Sequence, residues 1–168
     1  MWSERQGKLG LGELLDALPP NQLHWLMTEF DGFGRRDRPD GRDVRVEIEA
    51  SQTGIWFTWP ELLAFADTLG DTDWCIAIAT HSRDSLLKQL PIAEEAFARM
   101  PGRDYFAGGV APLCPASDCI IEAFDSTTWS VSFRERFDPD GHFAPERIRS
   151  RPPIPSQLRV GAARPLDN

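Results

Sequence analysis

Leu11, Leu14, Leu15 and Leu18 recur at i, i+3, i+4 and i+7, the stripe of a short amphipathic helix, and Pro19-Pro20 ends it. The run from Leu23 to Phe30 fits two periods. Leu23, Leu26, Met27 and Phe30 suit a helix, whereas Trp25, Thr28 and Phe30 suit a strand. The next apolar run favours the strand. Val44, Val46 and Ile48 alternate with Arg45, Glu47 and Glu49, the pattern of a half-buried strand that needs a partner. The turn-rich residues 31–41 between the two runs read as a hairpin loop.

Ile55, Trp56 and Phe57 either extend the sheet or lead into a helix. Thr58-Trp59-Pro60-Glu61 is a capping box with proline in the first turn, where no N–H is required. Leu62, Leu63, Phe65, Ala66 and Leu69 then supply an apolar face, with Gly70 as the expected stop. Residues 74–79 are apolar throughout, which predicts a central strand covered on both faces. Ser82-Arg83-Asp84-Ser85 is suited to capping the next helix. Pro91 is expected to open a helix with Ala93, Ala96, Phe97 and Met100 inward and Glu94, Glu95 and Arg99 outward, ended by Pro101-Gly102. Residues 102–117 read as a loop, and the runs 119–124 and 129–133 as a hairpin.

Beyond Arg136 the chain is rich in proline and shows no period. The expected fold is α+β: an antiparallel or mixed sheet of about five strands with about three helices packed mainly on one face. It occupies residues 1–137 as a single domain, followed by an irregular Pro/Arg-rich extension over 138–168.

Length and composition narrow this picture. A chain of 168 residues fits one domain. Its 26 acidic against 18 basic residues give a net charge of −8, which argues against a sequence-independent nucleic-acid binder. The charge is uneven: residues 1–140 carry net −11 and residues 141–168 net +3. No run reaches the roughly 18 apolar residues of a membrane span. The N-terminal residues lack the apolar core of a secretory signal, so a cytoplasmic location is expected, with Cys75, Cys114 and Cys119 reduced.

Candidate chemistry is sparse. Cys114 and Cys119, with His142 beyond, make only one ligand pair where structural zinc wants two. The segments 37–41 and 138–141 each place two aspartates before a glycine, but Pro-Asp-Gly is a turn sequence and the further oxygen ligands of a calcium loop are missing. No glycine-rich nucleotide loop is present. Neither metal nor cofactor is expected. His81, Ser82 and Asp84, at the end of the central strand, form the most enzyme-like cluster, without the Gly-x-Ser-x-Gly frame of a nucleophile elbow.

The charge layout says more. Between Arg45 and Arg83 there is no Lys or Arg, while Glu47, Glu49, Glu61, Asp67, Asp71 and Asp73 fall there with Trp56, Trp59 and Trp74. Tryptophans with carboxylates are the composition of a surface that docks a basic partner. Tryptophans at element boundaries also pack into cores, and acids on a helix face are commonly just solvated. Trp56, Trp59, Glu61, Asp67, Asp71, Asp73 and Trp74 are the expected partner-binding residues.

The stretch from Thr53 to Ala66, taken with Glu122 to Trp129, resembles segments of small α+β immunity proteins of bacterial polymorphic-toxin systems. That resemblance implies a protein that binds and neutralises a cognate toxin, and many such toxins are basic nucleases. Two other classes compete. One is an acidic secretion-chaperone-like protein, which would dimerise. The other is a small hydrolase using His81 and Asp84, which needs both side chains in one cleft.

Overall fold

The computed structural model describes residues 10–34, 43–99, 114–124, 128–134, 137 and 158–162. Among these residues, four helices and six strands occur in the order α1 (Leu11–Asp16), β1 (His24–Gly34), α2 (Val44–Ala50), β2 (Ile55–Phe57), α3 (Trp59–Asp67), β3 (Leu69–Thr80), α4 (Arg83–Ala98), β4 (Cys119–Phe124), β5 (Thr128–Phe133) and β6 (Leu158–Ala162). They build one α+β sheet of order β2-β1-β3-β4-β5-β6. The first five strands are antiparallel to their neighbours, and β6 runs parallel to β5.

Strand alternation divides the core into two layers. Trp25 and Met27 of β1, Cys75, Ala77 and Ala79 of β3, and Cys119, Ile121 and Ala123 of β4 face the helices α1, α2 and α3. Leu26, Ile78 and Ile120 face Leu86, Leu90 and Ala93 of α4. Three helices therefore cover one face and one covers the other. The apolar run in β3 is buried on both sides, as its lack of alternation predicts.

Several local predictions hold for stated reasons. Leu11, Leu14, Leu15 and Leu18 are buried together, and Glu13 accepts the Gly10 N–H at 2.8 Å. At α3, Glu61 accepts the Thr58 N–H at 2.7 Å while the Thr58 hydroxyl accepts the Glu61 N–H at 3.4 Å. The Ser82 hydroxyl accepts the Ser85 N–H at 3.3 Å and so caps α4. The hairpin pairs Cys119 with Phe133 and Phe124 with Thr128.

Other expectations are corrected. Residues 44–50 form a helix, not a strand. Val44 and Ile48 are also four apart, so this short run satisfies both periods. Asp43 accepts the Val46 N–H, Arg45 pairs with Glu49 one turn on, and Val46 is left 57% exposed. The partner of β1 on that side is β2 instead. Of the expected loop at 31–41, residues 31–34 extend β1, and the rest lies outside the described residues.

Helix α3 stops at Thr68, whose hydroxyl donates to the Phe65 carbonyl at 2.6 Å, and Gly70 belongs to β3. Pro91 lies inside α4 rather than at its start, because the stripe Leu86, Leu90, Ala93 continues across it. Ala96 is exposed, not inward; Met100, Pro101 and Gly102 lie outside the described residues. Residues 158–162, expected to be irregular, supply β6. The turn from α2 to β2 needs Gly54, whose φ is +102° and whose position a Cβ could fill only 2.3 Å from the Met27 carbonyl oxygen.

The three cysteines are free and buried. Burial pushes the Cys75 thiol from 9.0 to about 12, and burial, then the nearby Asp118, pushes Cys119 well above its usual value. These thiols keep their protons in the folded chain after unfolded thiols have lost theirs. Their contribution to stability is therefore intact below about pH 9 and is lost as pH rises above it, for Cys75 up to about pH 12. Urea midpoints are expected to fall between pH 8 and pH 10.5, and the Cys75→Ala/Cys119→Ala variant to show a shallower fall. Equal slopes in both proteins would refute this.

Candidate functional site

The seven residues expected to bind a partner do not share one face. Trp59 is only 7% exposed and packs on Trp25, ring centroids 5.6 Å apart, because its helix turns it into the core. Trp56 lies on the α4 side of the sheet under the Arg83 guanidinium, 5.0 Å from its ring. Glu61 is engaged in the α3 cap. Asp67 is exposed at the end of α3, and Asp71 and Asp73 are half-buried on β3. Trp74 lines a groove.

That groove lies between α2 and the strands β1 and β3, with a volume of about 260 Å³. It is lined by Phe30, Ile48 and Trp74 and by the polar side chains Glu29, Asp31, Glu49 and Arg45. Strand pairing opposes Asp31 to Trp74 and Phe30 to Cys75, and the adjacent β1 residue Glu29 accepts the Trp74 indole N–H. Helix α2 brings Arg45 to the same place. Its guanidinium contacts Glu49 and Asp31, each at 3.2 Å, with all three side chains at least half exposed. The Glu49 hydrogen bond, followed by the charge of Asp31, holds Arg45 above its usual pKa. Exposed ion pairs of this kind contribute little to stability. Three carboxylates around one arginine leave the groove net negative.

Glu29, Asp31 and Arg45 are not legible in the sequence as site residues. Asp31 reads as loop, Glu29 is one polar position in an ambiguous run, and Arg45 and Glu49 read as strand. Once α2 is recognised as a helix, the spacing from Arg45 to Glu49 is the only sequence signal for this wall.

A second polar construction lies where β3 ends. His81 does not depend on Asp84 for a carboxylate. Asp118 Oδ2 accepts the His81 backbone N–H at 2.9 Å and lies 2.5 Å from His81 Nδ1. The Asp118 side chain is fully buried, whereas that of His81 is 66% exposed. Ser82 and Asp84 fall in the cap and first turn of α4, with the Ser82 hydroxyl bonded to Ser85. Sequence reasoning misses Asp118 because it lies 37 residues from His81, where a loop gives way to a strand. Antiparallel pairing of Ala79 with Cys119 brings the two together.

The segment carrying Asp118 is itself tied down. Thr80 donates to the Ala116 carbonyl at 2.7 Å, and Gln89 accepts the Ala116 N–H at 2.8 Å. Arg134 donates to the carbonyls of Ser117 at 2.7 Å and Cys114 at 3.2 Å. Cys114 and Cys119 belong to opposite core layers, so they do not converge as ligands, and His142 lies outside the described residues. Among the described residues, no helix is long and apolar enough to cross a membrane. No known protein family, curated protein or solved structure matches this chain.

Proposed function

We propose that the protein is a binding module for a basic protein, acting as an inhibitor or immunity protein that neutralises its partner by contact. The observation that carries this reading is the groove beside Trp74, in which Glu29, Asp31 and Glu49 surround the single arginine Arg45. An indole edge offers a large rigid contact, and carboxylates steer a cationic partner and pair with its Arg or Lys. Arg45 on Asp31 and Glu49 illustrates the contact that a partner's guanidinium would make. Asp71 and Asp73, close along β3 from Trp74, extend the same negative field. Trp56, Trp59 and Glu61 have structural partners and are left out of the proposed surface. A cytoplasmic setting accords with three thiols that are buried and unpaired.

The test is capture from the native host followed by mass spectrometry, using the wild type and the Glu29→Lys/Asp31→Lys/Glu49→Lys variant. The expected result is one dominant basic protein recovered by the wild type and at least about tenfold less by the variant, with unchanged circular dichroism. Equal recovery by both proteins removes the groove as the binding surface. Recovery of a predominantly acidic partner removes the charge argument with it.

A further inference from the structure

The groove makes no use of His81 and Asp118, which lie at the far end of β3. We propose that these two residues form a general-base dyad able to hydrolyse activated carboxylic esters. Asp118 Oδ2 faces His81 Nδ1 at 2.5 Å and also accepts the His81 backbone N–H, so the arrangement assigns Asp118 as the acceptor and Nδ1–H as the donor. His81 is thereby held as the Nδ1–H tautomer, and Nε2 keeps its lone pair. Among the described residues Nε2 has no hydrogen-bond partner, and the side chain is two-thirds exposed, 66%.

Burial of Asp118 strengthens the arrangement. Its carboxylate is taken wholly out of water, and its segment is fixed through Thr80, Gln89 and Arg134. Such a held carboxylate both orients an imidazole and stabilises the imidazolium formed when the ring accepts a proton. Asp118 is a positioning residue here, and His81 is the group that meets the reacting atoms.

The step balances with water alone. Nε2 removes a proton from a water molecule as the water oxygen bonds to the ester carbonyl carbon. The tetrahedral intermediate expels the leaving-group oxygen, breaking the acyl C–O bond, and the proton on Nε2 passes to that oxygen or to solvent. Nothing is oxidised or reduced. The exposure of His81 favours small esters with good leaving groups over a substrate that must be enclosed.

The probe is p-nitrophenyl acetate, with release of p-nitrophenolate followed at pH 7.5 and N-acetylhistidine at equal concentration as the reference. The full chain is expected to exceed the reference by about 100-fold. His81→Gln, at an exposed position, should fold normally and fall to the reference rate. Asp118→Asn should lower the rate at least about tenfold, and ¹⁵N NMR of the wild-type imidazole at a pH where it is neutral should show Nδ1–H, with mixed tautomers in the variant. A wild-type rate no greater than the reference, undiminished rate in His81→Gln, or an Nε2–H tautomer in the wild type each overturns the proposal. It stands independently of the groove, since capture of a basic partner plays no part in it.

Discussion

Replacing Trp25 with alanine is expected to destabilise the protein by about 4 kcal/mol. The side chain is fully buried and packs on Trp59 and, edge-on at 6.5 Å, on Phe137. Its indole N–H donates to the Asn21 side-chain oxygen at 3.1 Å, which also accepts the Leu23 N–H at 3.2 Å. Truncation therefore opens a large cavity in the layer under α1 and α3 and removes one donor from Asn21. Phenylalanine in the same place keeps much of the volume and loses the hydrogen bond, so about 2 kcal/mol is expected. Urea unfolding followed by far-UV circular dichroism measures both. A loss below about 1.5 kcal/mol for Trp25→Ala would mean that this ring is not a main support of the core. The site depends on it indirectly, because β1 carries Trp25 at one end and Glu29 and Asp31 further along.

Asp118→Ala is expected to cost about 3 kcal/mol, far more than His81→Ala at under about 1 kcal/mol. The two residues share a hydrogen bond, yet their surroundings differ. Asp118 is 1% exposed and supplies the acceptor for the His81 backbone N–H, while its own N–H donates to the Ala79 carbonyl at 2.7 Å. Without its carboxylate, a partly buried N–H loses its partner, and the junction of β3 with α4 loosens. Without the imidazole, the carboxylate still has the backbone N–H, and water can reach the vacated outer side. The same denaturation assay distinguishes the two. Similar losses for both variants would mean that the imidazole, rather than the backbone, is what holds Asp118. The contrast also bears on the ester assay, since it makes His81→Gln the cleaner probe of reactivity and Asp118→Asn the probe of orientation.

The capping box at Thr58 and Glu61 is legible because its bonds join residues three apart, and no distant contact is needed to complete them. The two-faced burial of β3 is legible because an unbroken apolar run has no polar side to expose. Residues 44–50 are misread as a strand because seven residues are too few to separate a period of 2 from one of 3.6. The local cap at Asp43 and the packing of Val44 and Ile48, four apart, on the core tip that balance. Pro91 misleads for a related reason. A proline's missing N–H argues for a helix start, but the stripe on either side buries enough surface against Ile78 and Ile120 to carry the helix through.

The amino-acid sequence by itself determined the α+β class, the caps of α3 and α4, the leucine stripe of α1, the β4–β5 hairpin and the concentration of negative charge in the first 140 residues. These rest on interactions within a few residues or on composition. The tertiary structure alone decided which tryptophan lines the groove, which carboxylates stand beside it, and which aspartate meets His81. Trp56, Trp59 and Trp74 are the same residue type, and only sheet pairing and helix orientation send Trp59 to the core, Trp56 beneath Arg83 and Trp74 to the groove. Asp84 is three residues from His81 and Asp118 is 37 away, yet register places the distant one at 2.5 Å. A site assembled across strands depends on pairing, and pairing is set by the burial of the whole sheet rather than by the residues that meet there.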